Sequence, residues 1–410
     1  MSDFLSRRDL LKGGTLIAVG LVAPRWLSTV ARADVIRAAA GAKPLSDTVL
    51  VVCQFTGGND GLNTVVPWAS AKYKELRPVL AHPEDKVLKL NEAMGLHPAM
   101  TGMKTLYDEG KVAIVQNVGY PHANRSHFKS MDIWQSASPE QTLKYGWLGR
   151  HYDHLAAGGP LNPVVALGLS TERPLALQGE KASIPTFASL ADMQNLIGDP
   201  DTEKMLREIQ GMDAMAGSAT RTVQQASKTA LDAMSILNKQ LKGYEPKQAY
   251  ANDDFGRGFK QIAQLIATSP ATRVVYFSAG GFDTHAKQLE TQERLLKGYS
   301  DAILAFQREM EAIGKADKVV VMSFSEFGRR AYENASQGTD HGAAAPMFFI
   351  GSKVKGGLHG PNPDLANLDQ GDVAFTQDFR GAYATTLDQW IGGDSAVVLG
   401  QKFEPVPVFK

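Results

Sequence analysis

Short apolar runs rich in β-branched residues recur along the chain, separated by stretches of mixed polarity. Runs of this length with few polar interruptions are typical of strands that are covered on both faces. Between several of them, apolar positions recur every three or four residues, as in His97 to Tyr107 and, more clearly, Leu289 to Ile313, which predicts helices. The runs are Thr48 to Phe55, Lys111 to Val118, Pro163 to Gly168, Arg273 to Ala279, Lys318 to Phe324 and Pro346 to Ile350.

The alternation of strands and helices predicts the architecture. Parallel strands joined by helical crossovers form a sheet with helices on both faces. We therefore predict one α/β domain over residues 34–410, a three-layer αβα arrangement with a mostly parallel central sheet. The stretch from about residue 199 to 241 lacks strand patterns and is rich in Met, Ala, Gln, Lys and Glu, so we expect a helical insertion of one or two amphipathic helices there.

The first 33 residues have the pattern of an export signal. The pair Arg7-Arg8 precedes an uncharged run from Gly13 to Pro24, and Ala31-Arg32-Ala33 has the small-x-small form that signal peptidase cuts. The run is shorter than the roughly 20 residues that a spanning helix needs, so we expect no permanent membrane anchor. We predict a twin-arginine signal over residues 1–33, passage through the twin-arginine translocase and a periplasmic or secreted mature protein.

Composition limits the partners and the metal ligands. The 43 basic and 43 acidic residues leave a formal net charge of zero, which gives no electrostatic basis for binding nucleic acid. Cys53 is the single cysteine and lies inside an apolar run, so we expect a buried core residue. One cysteine also excludes an internal disulfide and a cluster of thiolate ligands, which leaves His, Asp and Glu to bind a metal.

Polar clusters lie where several of the predicted strands end or begin. Ligands of open parallel sheets bind beyond the carboxyl ends of the strands, so we expect these clusters to meet at one rim. Carboxylates and imidazoles gathered with a hydroxyl there would suit one or two divalent ions such as Zn²⁺, Mn²⁺, Mg²⁺ or Ca²⁺. The clusters are Gly57 to Gly61, Asn124 to His127, Gly281 to His285, Ser325 to Arg329 and Thr339 to Gly342.

Ser126 stands at the start of a predicted helix, which leaves two roles open. At a helix amino end, an attacked phosphate or sulfate is favoured, and a nearby ion would lower the pKa of the serine hydroxyl. Arg125 would hold the anion bidentately. The same serine could instead serve only as the N-cap of its helix, a role that serine often fills.

These motifs resemble a known family, the bacterial secreted proteins called domain of unknown function 1501, which are distant relatives of the alkaline phosphatase and sulfatase superfamily. The resemblance covers most of the mature chain. It implies an alkaline-phosphatase-like fold and an exported, metal-dependent hydrolase that acts on phosphate or sulfate esters through a serine nucleophile. The segments that carry it are Gly57 to Asn63, His97-Pro98, Gly119 to Pro121, Ser126 to Phe128, Phe282 to His285, Ser325 to Arg329, Asp340 to Gly342 and Phe349 to Gly351.

The resemblance also implies roles for individual residues. It makes Ser126 the nucleophile and Arg125 the residue beside it that binds the anion. The implied substrate is an anionic ester, either a small molecule or a polymer. In the first assignment of metal ligands, the ligands are Asp60, Asp283, His285, Glu326 and His341. A competing assignment replaces Glu326 by the pair Asp340 and His341 and adds His359 as the last ligand.

Two departures from the superfamily pattern favour an alternative function. Asp283 and His285 are two positions apart, where the superfamily usually separates them by four, and Phe327 stands where a histidine is expected. These departures are typical of a non-catalytic binding or scaffold protein that keeps the fold with a degenerate metal site.

Several residues keep a structural interpretation beside the functional one. Asp60 could cap its glycine-rich turn, and Glu326 could form a salt bridge with Arg329 or Arg330. His127 is a metal ligand, a phosphate contact or a packed imidazole. Asp340 could orient His341 as a supporting carboxylate.

Overall fold

The computed structural model describes residue 37, residues 45–198, residues 201, 204, 205 and 208, and residues 218–410. The predicted export signal and much of the predicted insertion before residue 218 lie outside the described residues. Within the described part of the chain, no helix combines the length and the apolar character needed to cross a bilayer.

A nine-stranded sheet forms the middle layer of the described chain, and a three-stranded sheet lies apart from it. The strands are β1 Val49–Phe55, β2 Val65–Val66, β3 Leu88–Lys89, β4 Gly95–Leu96, β5 Val112–Gly119, β6 Ala166–Leu169, β7 Thr186–Phe187, β8 Val274–Ala279, β9 Val319–Ser325, β10 Ala345–Ile350, β11 Gly357–His359 and β12 Gln377–Asp378. The large sheet has the order β11-β5-β10-β9-β1-β8-β6-β7, and β12 also pairs with β5. Its neighbours are parallel except where β10 pairs with β5 and β9.

Helices cover both faces of this sheet. They are α1 Gly61–Thr64, α2 Ala71–Leu76, α3 Thr101–Asp108, α4 His127–Ser136, α5 Trp147–Ala156, α6 Leu190–Gly198, α7 Ser218–Gln240, α8 Asp254–Thr268, α9 Gln288–Ala312, α10 Phe379–Thr385 and α11 Ser395–Leu399. Short 3₁₀ segments at Leu175–Leu177 and Ala316–Lys318 and a π-helical segment at Thr386–Trp390 complete the described helices.

The two hydrophobic cores follow from the alternation of side chains along β1. Val51 and Cys53 face one core, which contains residues of α3, α8 and α9, whereas Leu50 and Val52 face the other, which contains residues of α4, α5 and α10. Because successive side chains of a strand point to opposite faces, one apolar run fills both cores. Cys53 is buried as expected, and burial raises the pKa of its thiol.

The predicted α/β class and mostly parallel sheet are confirmed. Every predicted strand is present with slightly shifted ends, and the longest predicted helix is α9. The first predicted helix begins at Thr101 instead of His97. The proline at position 98 disfavours helical backbone at His97 itself. β10 is antiparallel to β9 because no helix lies between them to carry the chain back for a parallel return.

Two histidines lie inside the fold. His97 is 2% exposed and His151 is 1% exposed. Burial lowers the pKa of His97 to about 3 and that of His151 to about 4, from an ordinary value of 6.5. At a pH between these lowered pKa values and 6.5, the unfolded chain therefore binds more protons than the folded chain. The free energy of unfolding falls as the pH drops below about 6.5.

We expect His151→Gln to reduce this acid sensitivity. A pKa lowered from 6.5 to about 4 corresponds to about 3 kcal/mol of stability lost on going from neutral to acid pH. Urea unfolding at a series of pH values measures the dependence, and His122→Gln is the control, because His122 is exposed and lies outside the helix that carries His151. A His151→Gln protein with the wild-type pH dependence would contradict the assignment.

Candidate metal centre

The polar clusters meet at one edge of the large sheet. β1, β5, β8 and β9 all run in the same direction, so their carboxyl ends lie on the same edge, and antiparallel β10 begins there. Segments far apart in the sequence are therefore adjacent in the fold. The expectation of a common rim is met by His127 at the start of α4, Asp283 after β8 and His341 before β10, since their ligand atoms lie within 4.8 Å of one another.

Four side chains form a compact group, which we call the rim cluster: His127, Asp283, His285 and His341. The Oδ1 atom of Asp283 lies 3.0 Å from His285 Nε2, 3.1 Å from His341 Nε2 and 3.4 Å from His127 Nε2. The Nε2 atoms of His285 and His341 are 2.9 Å apart. Three imidazole nitrogens thus surround one carboxylate oxygen.

The Nδ1 atom of each cluster histidine is held by an oxygen. A ring that donates from Nδ1 keeps its Nε2 lone pair free to bind a metal, and this second contact fixes the orientation of the ring. The acceptors are Glu326 Oε1 for His127 at 2.8 Å, Asp340 Oδ1 for His285 at 3.0 Å and the carbonyl of Arg125 for His341 at 2.8 Å.

The cluster fits a divalent metal ion. His127 Nε2 is buried and has no hydrogen-bond partner among the described residues, although it faces Asp283. Imidazole nitrogens with one carboxylate oxygen are the donors that zinc and similar borderline ions prefer. The hydrogen bond with Glu326 raises the pKa of His127, whereas burial lowers the pKa of His341. Metal binding at His127 therefore competes with a proton.

Arg329 ties three loops together beneath the cluster. Its guanidinium is fully buried and donates to Asp283 Oδ1 at 2.6 Å. It also donates to backbone carbonyls, those of Gly58 at 2.7 Å, Thr339 at 2.8 Å and Phe282 at 3.0 Å, and that of Gly57. Burial alone would raise the pKa of Asp283, but the hydrogen bond from Arg329 and the close contact with His341 outweigh it and hold this pKa at about 2.

Glu326 supports the cluster from a buried position. Besides His127, its Oε1 accepts from the backbone N–H of Gly57 at 2.8 Å, and its Oε2 accepts from the Ser325 hydroxyl at 3.0 Å. Both carboxylate oxygens are thus occupied by donors. The contacts favour a role in orienting His127 over the predicted role as a direct ligand, and the predicted salt bridge of Arg329 forms with Asp283 instead.

Asp60 is not brought into the rim cluster. Its Oδ2 accepts from Arg77 at 2.6 Å, and both side chains are at most 1% exposed. Gln288 donates to the same oxygen, while Asp60 Oδ1 is buried with no partner among the described residues. Because a guanidinium already neutralises this carboxylate, its contacts favour a structural ion pair over the predicted ligand role.

Ser126 and Arg125 lie next to the cluster in sequence and in space. Ser126 is exposed at the N-cap of α4, and its hydroxyl makes no capping hydrogen bond. The Arg125 guanidinium donates to Asp372 Oδ2 from Nε at 3.1 Å and also from a terminal nitrogen. The expected N-cap bond of Ser126 is therefore absent, and the predicted anion clamp at Arg125 is partly committed to Asp372.

The structure separates the remaining predicted residues. Asp340 supports a histidine as expected, but the ring it holds is His285 rather than His341. His359 lies on β11 opposite Val115, in the middle of β5, and its Nε2 bonds the carbonyl of Lys355 at 2.8 Å. The competing assignment with His359 as a ligand is therefore not supported by its position.

Phe327 and Arg329 have packing and bridging roles in the site that the sequence did not reveal. The buried ring of Phe327 packs 4.9 Å from the ring of His127 and 4.8 Å from that of His341. Gly58 has φ +76, and a Cβ there would lie 2.4 Å from Phe327 Cε2, so only glycine fits. The predicted Ser325 to Arg329 cluster, which contains both residues, was the available clue, but neither side chain suggests a ligand.

Residues 47–389 match the model of the DUF1501 family, described as a protein of unknown function. The chain belongs to the DUF1501 family. A comparison with curated proteins finds no match.

Solved structures similar to this DUF1501 protein are distant. An alkaline phosphatase superfamily protein from Vibrio parahaemolyticus is 9% identical, with 90% of this chain and 76% of that chain covered and a TM-score of 0.39. CgsB in complex with k-i-k-neocarrahexaose is 10% identical, with 88% and 73% covered and a TM-score of 0.38. The zinc complex of the C-terminal periplasmic domain of EptC from Escherichia coli is 8% identical, with 75% and 74% covered and a TM-score of 0.35.

A wide opening, which we call the side cleft, adjoins the rim cluster in this DUF1501 protein. It has a volume of about 990 Å³, and its lining includes His127 of the rim cluster and the supporting residue Glu326. Residues of α4 and α8 form its walls, and the carboxyl ends of β6 and β8 contribute to its lining. The cleft gives a path from solvent to the candidate metal centre.

We expect Glu326→Gln to weaken zinc binding about tenfold to a hundredfold, because loss of the carboxylate loosens the orientation of His127. Competition with a chromogenic chelator measures the affinity without any substrate. The matched control is Glu92→Gln, since Glu92 is exposed and is distant in sequence from the residues of the rim cluster. Wild-type affinity in the Glu326→Gln protein would show that the carboxylate does not support the site.

Proposed function

We propose that this DUF1501 protein is an exported, metal-dependent hydrolase of phosphate or sulfate esters that uses Ser126 as its nucleophile. The observation that carries the proposal is the rim cluster, whose Nε2 atoms converge on Asp283 with every Nδ1 atom anchored. The exposed hydroxyl of Ser126 directly precedes the first of these histidines. The export step rests on the sequence of residues 1–33.

The chain's own residues would each have a defined task. A bound divalent ion supplies positive charge that polarises the ester and lowers the pKa of a nearby hydroxyl. Ser126 attacks phosphorus or sulfur, the bond to the ester oxygen breaks, and the alcohol leaves. Water then hydrolyses the ester formed on Ser126. The first backbone N–H groups of α4 and the Arg125 guanidinium favour the anion at this position.

The contacts favour one ion over two. Asp60 is the candidate ligand for a second ion, but the buried Arg77 guanidinium already balances its charge. A second cation beside Arg77 would be repelled in a region of low dielectric. We therefore propose one divalent ion, zinc before Mn²⁺, Mg²⁺ or Ca²⁺, held by His127, Asp283 and His341 with His285 alongside.

A second candidate function is a non-catalytic binding or scaffold protein of the same fold. The position of Phe327 against two cluster histidines and the Asp60–Arg77 pair support it, because both reduce the number of ligands for metal ions. Under this alternative, the cluster holds one ion for structural reasons and Ser126 is not needed.

Ser126→Ala separates the two functions. With zinc bound, we expect turnover of aryl phosphate or aryl sulfate esters to fall on the order of a thousandfold or more, because the nucleophile is lost while the metal ligands remain. Zinc affinity should stay at the wild-type value. Stopped assays of both ester classes give the rates, and Ser336→Ala is the control, since Ser336 is also exposed.

One outcome would contradict the hydrolase, and a second would remove only Ser126 as its nucleophile. If the protein folded in the producing cell carries no divalent ion and turns over neither ester with any added metal, the enzyme proposal fails. If turnover survives Ser126→Ala, the hydrolase stands without Ser126 as its nucleophile. A biological role that survives Ser126→Ala would favour the scaffold.

A further inference from the structure

The side cleft is larger than an ester group requires. Its volume of about 990 Å³ lies at the upper end of the roughly 300–1,000 Å³ that small-molecule sites occupy. His127 of the rim cluster and its supporting residue Glu326 line the cleft, and His127 directly follows Ser126, the proposed nucleophile. The cleft therefore has room for the alcohol half of the ester, the part that leaves after the bond breaks.

The charges that line the cleft show no excess of cations. Glu326 is bonded to His127, and Asp254 forms an ion pair with Arg257. The remaining charged lining residues are Asp132, Glu172 and Arg173, two acidic groups and one basic group. Because grooves that bind polyanions concentrate basic side chains, this lining does not attract a second anionic group on the substrate.

Much of the remaining lining is polar and uncharged. Amide and hydroxyl side chains can both donate and accept hydrogen bonds, which suits a ligand rich in hydroxyl groups. A fatty chain would bury these groups without partners, at a cost in free energy. Examples from several elements are Gln54, Gln135, Ser170, Thr171, Gln261 and Ser278.

Phe128 adds an aromatic surface at the mouth of the cleft. It follows His127 on α4, lines the cleft and is 88% exposed, more than any other large apolar residue described. Met131 lies one turn further along the same helix and also lines the cleft. An exposed apolar patch beside a binding site indicates contact with a ligand, and aromatic rings bury much apolar area at such contacts.

We propose that the side cleft binds the alcohol half of the ester, that this half is an uncharged, hydroxyl-rich ring such as a sugar unit, and that Phe128 stacks on its apolar face. The assignment to a substrate rests on the proposed hydrolase function. The lining also predicts that the cleft discriminates against polyanions, since a chain with further carboxylate or sulfate groups would meet Asp132 and Glu172, with Arg173 as the one basic lining residue outside an ion pair.

Binding of neutral sugars tests the proposal without any catalytic step. The probes are two neutral hexose oligosaccharides, maltohexaose with α linkages and cellohexaose with β linkages, and the polyanionic oligogalacturonate. Saturation-transfer NMR and titration calorimetry measure their binding to metal-free and zinc-loaded protein. We expect a neutral oligosaccharide to bind and oligogalacturonate not to bind. Failure of both neutral probes, or equal binding of oligogalacturonate, would overturn the proposal.

Phe128→Ala tests the stacking contact. We expect it to weaken binding of the neutral oligosaccharide about threefold to tenfold, while zinc affinity is unchanged. Val397→Ala is the control, because Val397 is 54% exposed and does not line the cleft. Unchanged sugar binding in the Phe128→Ala protein would remove Phe128 from the site.

The two proposals fail in different ways. If neutral sugars bind but no ester is turned over, the hydrolase function fails and the cleft remains a sugar site. If aryl esters are turned over but no neutral sugar binds, the hydrolase stands and the cleft assignment fails.

Discussion

The buried guanidinium of Arg329 is the contact on which the rim depends. It joins the loop after β1, the loop after β8 and the segment before β10 through backbone carbonyls, and it holds Asp283 in place. A buried charge that loses its partners is strongly unfavourable, so these loops are coupled to one another. Arg329 thereby fixes the loop that carries Asp283 and the segment that leads to His341.

A second layer of contacts turns this geometry into a candidate metal centre. Glu326, Asp340 and the carbonyl of Arg125 hold the Nδ1 atoms of the three histidines, so the Nε2 atoms face a common point before any ion binds. Such preorganisation lowers the entropic cost of ordering the ligands when an ion binds. Elsewhere on the rim, the Arg77 guanidinium neutralises the Asp60 carboxylate. This ion pair limits the space and the negative charge that a second metal ion would need.

Strand positions and the common rim could be predicted from the sequence, because strands covered on both faces are nearly continuous apolar runs and parallel strands end at the same edge. The roles of individual ligands could not. Asp60 and Asp283 both follow strands, and nothing in the sequence indicates that Arg77 would pair with one and Arg329 with the other. The contacts of Glu326 that favour support over a ligand role depend on side-chain rotamers. The antiparallel direction of β10 depends on a loop without a crossover helix.

Anomalous diffraction from zinc-soaked crystals, measured on both sides of the zinc absorption edge, tests the central claim most directly. We expect one strong peak about 2 Å from His127 Nε2, His341 Nε2 and an oxygen of Asp283. No second peak is expected beside Asp60. A rim cluster without a peak in protein that is folded and saturated with zinc would contradict the account, and so would a strong peak bound by Asp60.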